Sequence, residues 1–280
     1  MTKHPSLQRL IHSLEELPSH RGVAVRVVLE MNKPTASAYS VAPLIELDPA
    51  LTTLVLRLAN SAYYGLRHRV SSAQRAIAVV GFENVRTFAT ARAAGALESG
   101  ADSLPPGMWE HAVETAAAAS VVAPLVGARR EDAFSVGLLH DIGQMVLYRL
   151  YPDEYIEVMA RAIAQETTLM GAEISAFGFA HDDVGAAVLH EWGFPRPFTQ
   201  AIQFHHQKEP NLVTPLVKAL AAGQDLSLRL PDAPIPEVLA PAPLQSGMQL
   251  AGIEEYFAED FMERTQEAAR DLFDLLVEPA

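Results

Sequence analysis

Four short stretches after residue 105 place histidine beside apolar residues, and one of them carries a His-Asp pair. His140-Asp141, for example, follows directly after the apolar run from Phe134 to Leu139. Because flanking residues of this kind belong in a core, the pattern carries several imidazoles and one carboxylate toward the interior. The candidate ligands are His111, His140, Asp141, His181, His205 and His206.

A divalent metal ion is one partner that would satisfy these groups. Burying a polar ring without a partner costs on the order of 1–3 kcal/mol. Imidazole and carboxylate are good ligands for iron, manganese, zinc or nickel, and one or two ions are compatible with six ligands. Two such ions can activate water and hold both oxygens of a phosphoryl transfer. The alternative is that each ring donates to a backbone carbonyl and binds no metal.

The first half of the chain predicts several short helices between residues 17 and 97. Asp48-Pro49 is a helix start, with Asp as N-cap and Pro at the first helical position. Ser71 and Gln74 have the spacing of a capping box, and the helix behind them ends at Gly81. The expected buried positions are Leu51, Leu54, Val55, Leu58, Ala62, Ala76, Ile77, Val80, Val85, Phe88, Ala89 and Ala93.

The second half predicts three or four long helices from Trp109 to about Ser227. Five prolines between Pro231 and Pro243 exclude a regular element there. A tail helix follows from Ile253 to Leu276, with Phe257, Phe261, Ala268, Leu272 and Leu275 or Leu276 as expected buried positions. Strand-like alternation is missing, so we expect an all-α, multi-helix bundle. The expected divisions are an N-terminal helical half at 15–98, a helical core with the His/Asp cluster at 105–228, a Pro-rich linker at 229–248 and a C-terminal helix at 249–280.

Composition narrows the classes of function. The 280 residues carry a net charge of −13, which disfavours non-specific nucleic-acid binding. There is no cysteine, so disulfides, thiolate metal sites and a cysteine nucleophile are excluded. No stretch is long and apolar enough for a membrane span, and no secretory signal is visible. We therefore expect a cytoplasmic protein.

Several motifs resemble the HDOD domain, a relative of the HD and HD-GYP metal-dependent phosphohydrolases found in bacterial signalling proteins. The most specific combination is Asn60-Ser-Ala-Tyr-Tyr-Gly65 with the later His140-Asp141. Further matching segments are Ile45–Leu51, Ala76–Gly81, Trp109–His111, Gly137–Gly143, His181–Gly185, Trp192–Pro195 and Ala201–His206. They cover roughly residues 15–225. The resemblance implies an all-helical fold with an HD-type core.

The resemblance also implies that the six candidate ligands match the metal-ligand positions of the HD superfamily, with His140 and Asp141 as the catalytic pair if the site is active. One position departs from the pattern. The superfamily has a final Asp on a later helix, where this chain has Ala222. Asp225 could replace that Asp only if the helix is shifted.

Other side chains have two interpretations each. Arg129, Arg130, Arg196 and Lys208 either contact a substrate phosphate or are solvated surface residues. Tyr63 and Tyr64 either form a binding surface or pack a helix end closed by Gly65.

Two functions from different classes follow. The preferred one is a regulatory module of bacterial signal transduction that binds a protein partner or a nucleotide-type small ligand, with the metal site retained or partly degenerate. The alternative is a metal-dependent phosphodiesterase acting on a cyclic dinucleotide or nucleotide. The sequence leaves open whether the chain assembles with further copies of itself. It also leaves open whether the C-terminal helix docks on the core, exchanges between protomers or recruits a partner.

Overall fold

The computed structural model describes residues 6–7, 10, 19–61, 64, 66, 69–96, 104–164, 167–206, 213–230, 247–254 and 258–276. These residues contain α-helices and no strand, which confirms the all-α fold class. The helices are α1 (Ser19–Met31), α2 (Ala38–Ile45), α3 (Pro49–Ala59), α4 (Ala73–Val80), α5 (Phe82–Ala93), α6 (Met108–Val126), α7 (Arg130–Leu139), α8 (Ile142–Leu150), α9 (Pro152–Ala164), α10 (Leu169–Phe177), α11 (His181–Glu191), α12 (Arg196–Phe204), α13 (Pro215–Ser227), α14 (Gly247–Ala251) and α15 (Ala258–Leu276).

Local capping explains where the early helices begin. The Asp48 carboxylate accepts from the backbone N–H groups of Ala50 and Leu51, and its second oxygen accepts from Arg92 Nε on α5 at 3.0 Å. One buried side chain thus starts α3 and ties it to α5. The predicted cap of α4 was wrong by one residue, because Ser72 and not Ser71 accepts from the N–H of Arg75.

The prediction of three or four long helices after Trp109 was also wrong, since eight helices occupy residues 108–227. The breaks come from local signals within apolar sequence. Gly127 and Gly178 end helices in the left-handed conformation, and the Thr168 hydroxyl caps α10. Such breaks matter for the site, because several candidate ligands lie at helix ends.

The core of the second half is built on α6, which packs against α7, α13 and α15. At Gly223 on α13 an added Cβ would lie 2.6 Å from the backbone nitrogen of Ala119, so only glycine permits this separation. The Thr115 and Ser227 hydroxyls join the same two helices at 3.0 Å. The N-terminal helices attach through α5, whose Thr87 hydroxyl donates to Ser135 on α7 at 2.9 Å.

The C-terminal helix α15 docks on α6 and α13 of its own chain, which is one of the three alternatives that the sequence left open. Of the expected positions, Phe261 and Leu272 are partly buried and pack against the core, and Ala268 is half-buried. Thr265 and Ala269, on the same face, are buried although they are not among the positions expected from the sequence. Phe257, Leu275 and Leu276 lie outside the residues whose side chains are described, as do Ala62 and the prolines from 231 to 243. The division of the chain at 15–98, 105–228, 229–248 and 249–280 stays a prediction.

None of the described helices combines the length and the apolarity needed to cross a membrane.

Candidate metal centre

The six candidate ligands lie at or near helix ends that meet inside the second half of the fold. His111 is in the first turns of α6, His181 is the first residue of α11, and His205 and His206 directly follow α12. His140 directly follows α7 and Asp141 directly precedes α8, so the break between these two helices carries both side chains. The structure therefore brings all six together, and we call them the Asp141 cluster.

The Asp141 carboxylate divides between two groups of imidazoles. Its Oδ2 lies 3.1 Å from His140 Nε2 and 3.9 Å from His111 Nε2. Its Oδ1 lies 3.6 Å from His181 Nε2 and 3.8 Å from His205 Nε2. A carboxylate in this position can bridge two cations.

The potential ligand atoms form two overlapping sets, each within 4.8 Å. One set is His111, His140 and Asp141, and the other is Asp141, His181, His205 and His206. Two divalent ions sharing Asp141, or one ion in either set, are compatible with this arrangement.

Hydrogen bonds to backbone carbonyls determine which ring nitrogen of His140, and which of His205, faces Asp141. His140 Nδ1–H donates to the Gly137 carbonyl at 2.8 Å, and His205 Nδ1–H donates to the Ile202 carbonyl at 2.5 Å. A carbonyl can only accept, so in the neutral ring the lone pair is at Nε2. In the neutral rings both Nε2 lone pairs would face carboxylate oxygens, and either a bound cation or an added proton between them removes this repulsion.

Atoms without a hydrogen-bond partner provide a further test of whether a metal fits. The buried atoms without such a partner in the cluster include Asp141 Oδ1, His140 Nε2 and His205 Nε2. Buried polar atoms are ordinarily satisfied. Since these three are also the atoms that would coordinate an ion, the residues present fit a divalent metal centre.

Sequence reasoning missed Glu173 on α10, which is fully buried. Its Oε2 accepts from His181 Nδ1–H at 2.7 Å and from the His181 backbone N–H at 2.9 Å. Its Oε1 accepts from the Tyr155 hydroxyl at 2.6 Å. The available signal was a lone carboxylate four residues from both Leu169 and Phe177, on an otherwise apolar helix face.

Burial and the neighbouring carboxylates have opposite effects on the pKa values of the histidines in the cluster. Burial lowers the pKa of His111 to about 4 and that of His205 to about 3, with His140 adding to both effects. Burial also acts to lower the pKa of His181, but the Glu173 carboxylate outweighs it and raises the pKa to about 9. Without a metal ion, His181 is therefore charged at neutral pH, and its Nε2–H donates to His206 Nε2 at 2.9 Å.

Burial and neighbouring charges also have opposite effects on the pKa of the Asp141 carboxyl. Burial favours its neutral form, but the surrounding imidazoles, His140 first, hold its pKa well below the ordinary value. Asp141 is therefore an anion, ready to bind a cation.

Two positions on α13 are candidates for the final acidic ligand, that of Ala222 and that of Asp225, and neither lies in the Asp141 cluster. Ala222 packs in an apolar group with Ala118, Val122 and Met248. Asp225 lies 3.6 Å from Arg229 and accepts from the backbone N–H of Met248 at 3.4 Å. Among the described residues, the two ligand sets contain no acid from α13.

The remaining candidates divide between surface and structural positions. Arg129, Arg130 and Arg196 are exposed, and Arg129 faces Glu131 at 3.7 Å. The Tyr64 hydroxyl donates to the Val80 carbonyl at 3.3 Å, which agrees with its structural interpretation. Lys208 and Tyr63 lie outside the described residues.

Known proteins of similar sequence and fold provide a comparison. A protein of Treponema pallidum (strain Nichols), called uncharacterized, is 25% identical over 237 residues, which are 83% of this chain and 46% of that protein. The chain thus spans less than half the length of this relative.

Two solved structures share the fold across nearly the whole chain. A candidate phosphohydrolase from Shewanella amazonensis SB2B has 23% identity and a TM-score of 0.65, and covers 94% of this chain and 97% of its own. A candidate signal transduction protein from Marinobacter aquaeolei VT8 has 21% identity and a TM-score of 0.66, over 98% of this chain and 66% of its own.

The sequence model of the HDOD domain matches residues 17–208, which is more than half of the chain. This match spans the helix ends that carry the Asp141 cluster as well as the N-terminal helices. The chain therefore belongs to the HDOD domain family.

Proposed function

We propose that this chain is a regulatory module of bacterial signal transduction that binds divalent ions at the Asp141 cluster and acts through a protein partner or a nucleotide-type ligand. Burial is the observation that carries the proposal. The side chains of His111, His140, Asp141, His181 and His205 are each 5% exposed or less. Ligands buried to this degree would hold divalent ions away from bulk water, and this does not depend on a substrate.

The ligand inventory supports the same proposal. Ala222 stands where the resemblance implies an acid on α13, and among the residues that the structure describes the cluster has a single carboxylate as a potential ligand. Fewer anionic ligands leave more uncompensated positive charge on a pair of divalent ions. An anionic ligand or partner group would compensate that charge, and the absence of the acid from α13 departs from the ligand pattern that the resemblance to HD-type hydrolases implies.

One specific observation favours the alternative, a metal-dependent phosphohydrolase. The set of His111, His140 and Asp141 has three members, and three protein ligands leave a position open on a tetrahedral ion. A bound divalent cation supplies Lewis acidity toward a phosphate ester. His206 is the half-buried member of the cluster, so a substrate would approach from its side.

Metal loading combined with hydrolysis assays separates the two functions. Protein loaded with Mn²⁺, Fe²⁺ or Zn²⁺ is tested on a cyclic dinucleotide and on bis(p-nitrophenyl) phosphate, with metal content measured by elemental analysis. We expect one or two bound ions per chain, a melting temperature about 5 °C or more above that of chelator-treated protein, and no enzymatic turnover.

Asp141→Asn should abolish metal binding, since it weakens both ligand sets at once. His190→Ala is the matched control, because His190 is an exposed histidine on α11. Turnover in the loaded wild type that Asp141→Asn removes and His190→Ala keeps would establish the phosphohydrolase instead.

A further inference from the structure

The outer face of α9 carries an apolar stripe that the described residues leave exposed. Ile156 is 50% exposed and Ile163 is 47% exposed. Ala160 and Ala164 are exposed as well. Positions four, seven and eight residues apart share one face of a helix. In the described part of the chain, Ile156 and Ile163 are the one pair of exposed large apolar side chains on the same helix.

This stripe is a second apolar face of α9, distinct from the one that serves the core. Tyr155, Val158 and Ala162 are buried and form the inner face. A surface helix of a self-contained domain needs only one apolar stripe. A second one, rimmed by charges, is a candidate contact surface between molecules.

The charges beside the stripe indicate what it contacts. Glu157 and Arg161 are exposed on the same flank, four residues apart, and Asp153 and Glu154 lie at the N-terminal end. In a parallel pairing of two α9 helices, the acidic N-terminal ends would lie side by side and repel. In an antiparallel pairing they lie at opposite ends.

The antiparallel arrangement is also self-complementary. With a twofold axis between Met159 and Ala160, Ile156 of each copy lies at the level of Ile163 of the other. Glu157 then lies within one residue, or about 1.5 Å of helix rise, of the level of Arg161 in the other copy, on the same flank. The small Ala160 side chains at the crossing point permit close approach.

We propose that two copies of this chain form a twofold dimer through antiparallel α9 helices, with Ile156 packed on Ile163 and Glu157 paired with Arg161 across the interface. Twofold interfaces use the same patch on both subunits, so each contact occurs twice. The dimer does not require a metal ion. Its interface nonetheless lies on the helix whose inner face carries Tyr155, the hydrogen-bond donor to Glu173.

Sedimentation velocity on the full chain at physiological ionic strength is the first test. Wild-type protein should be a dimer at micromolar concentration, and Ile163→Asp should weaken association about a hundredfold, because it places two charges in the apolar stripe. Leu125→Asp is the matched control, since Leu125 is 54% exposed on α6 and the variant should stay dimeric. A monomeric wild type, or a dimer that Ile163→Asp leaves intact, would overturn the proposal.

A charge exchange tests the geometry even if the apolar variant misfolds. Glu157→Arg alone and Arg161→Glu alone place like charges opposite each other, so association of each variant should be weakened about tenfold or more. In an equimolar mixture, the guanidinium introduced in the first variant would face the carboxylate introduced in the second, and mixed dimers should form. Circular dichroism and metal content report the fold of each variant. A mixture no more dimeric than its components would rule out antiparallel pairing through α9.

Discussion

Asp141 is the side chain on which the candidate metal centre depends, because each of its oxygens faces a different set of imidazoles. The histidines are in turn oriented by acceptors behind them: carbonyls for His140 and His205, and a carboxylate for His181. Partners of this kind fix the tautomer and raise the basicity of the ligand nitrogen. Glu173 is therefore a positioning residue, acting on a metal through His181.

The Glu173→Gln variant should change how metal affinity depends on pH. In the wild type the pKa of His181 is raised to about 9, so a metal must displace a proton from its ring at lower pH. Affinity should therefore rise about tenfold per pH unit between about pH 7 and 8.5. The glutamine amide still accepts from His181 Nδ1–H but carries no negative charge, so the pKa of His181 is no longer raised. The slope of metal affinity against pH should therefore fall to about zero. Competition against a calibrated chelator at each pH measures the metal affinity.

Glu191→Gln removes an exposed carboxylate at the end of α11 and is the control for this comparison. It should retain the wild-type slope. Equal slopes for wild type and Glu173→Gln would show that Glu173 does not set the protonation of His181.

The separation between α8 and α11 decides whether His181 reaches Asp141. A Cβ added to Gly143 would lie 1.9 Å from the His181 carbonyl oxygen and 2.9 Å from the backbone nitrogen of Gly185. These are backbone atoms, which cannot rotate away as a side chain can. Glycine at 143 therefore permits α8 to approach the start of α11.

Gly143→Ala should destabilise the protein by about 3 kcal/mol or more, because one helix must move from the other. Metal binding should be lost together with stability, as His181 moves away from Asp141. Urea unfolding and elemental analysis measure the two effects.

Gly171→Ala on α10 is the control, since its Cβ would meet only the hydroxyls of Thr167 and Thr168. It should change stability by no more than about 1 kcal/mol, the usual difference between Gly and Ala in a helix. Wild-type stability and metal content in Gly143→Ala would contradict the assigned role of this contact.

At the scale of the whole molecule, the fold keeps several uncharged imidazoles in its interior. The pKa values of His111 and His205 are about 4 and about 3, and burial holds that of His206 well below its ordinary value. In the unfolded chain these rings bind protons near pH 6.5. The unfolded state therefore takes up more protons than the folded state when the pH falls below that value.

Metal-free protein should accordingly lose stability between about pH 7 and pH 5, by a few kcal/mol in total. His181 has the opposite sign, because its folded pKa is raised: its contribution is complete below about pH 6.5 and is lost as the pH rises through about 9. The urea midpoint of chelator-treated protein should thus be highest near about pH 7. A midpoint that rises steadily as the pH is lowered through this range would contradict this assignment.

The sequence by itself determined the helical class, the Asp48 cap, the HDOD family and the identities of the six clustered residues, because helix signals and motifs are local properties of the chain. Tertiary structure decided that Asp141 divides between two imidazole sets, that Glu173 stands behind His181, and that Ala222 faces an apolar group. It also decided that residues 108–227 divide into eight shorter helices. These features depend on distances between segments far apart in sequence, which are fixed by how the helices pack.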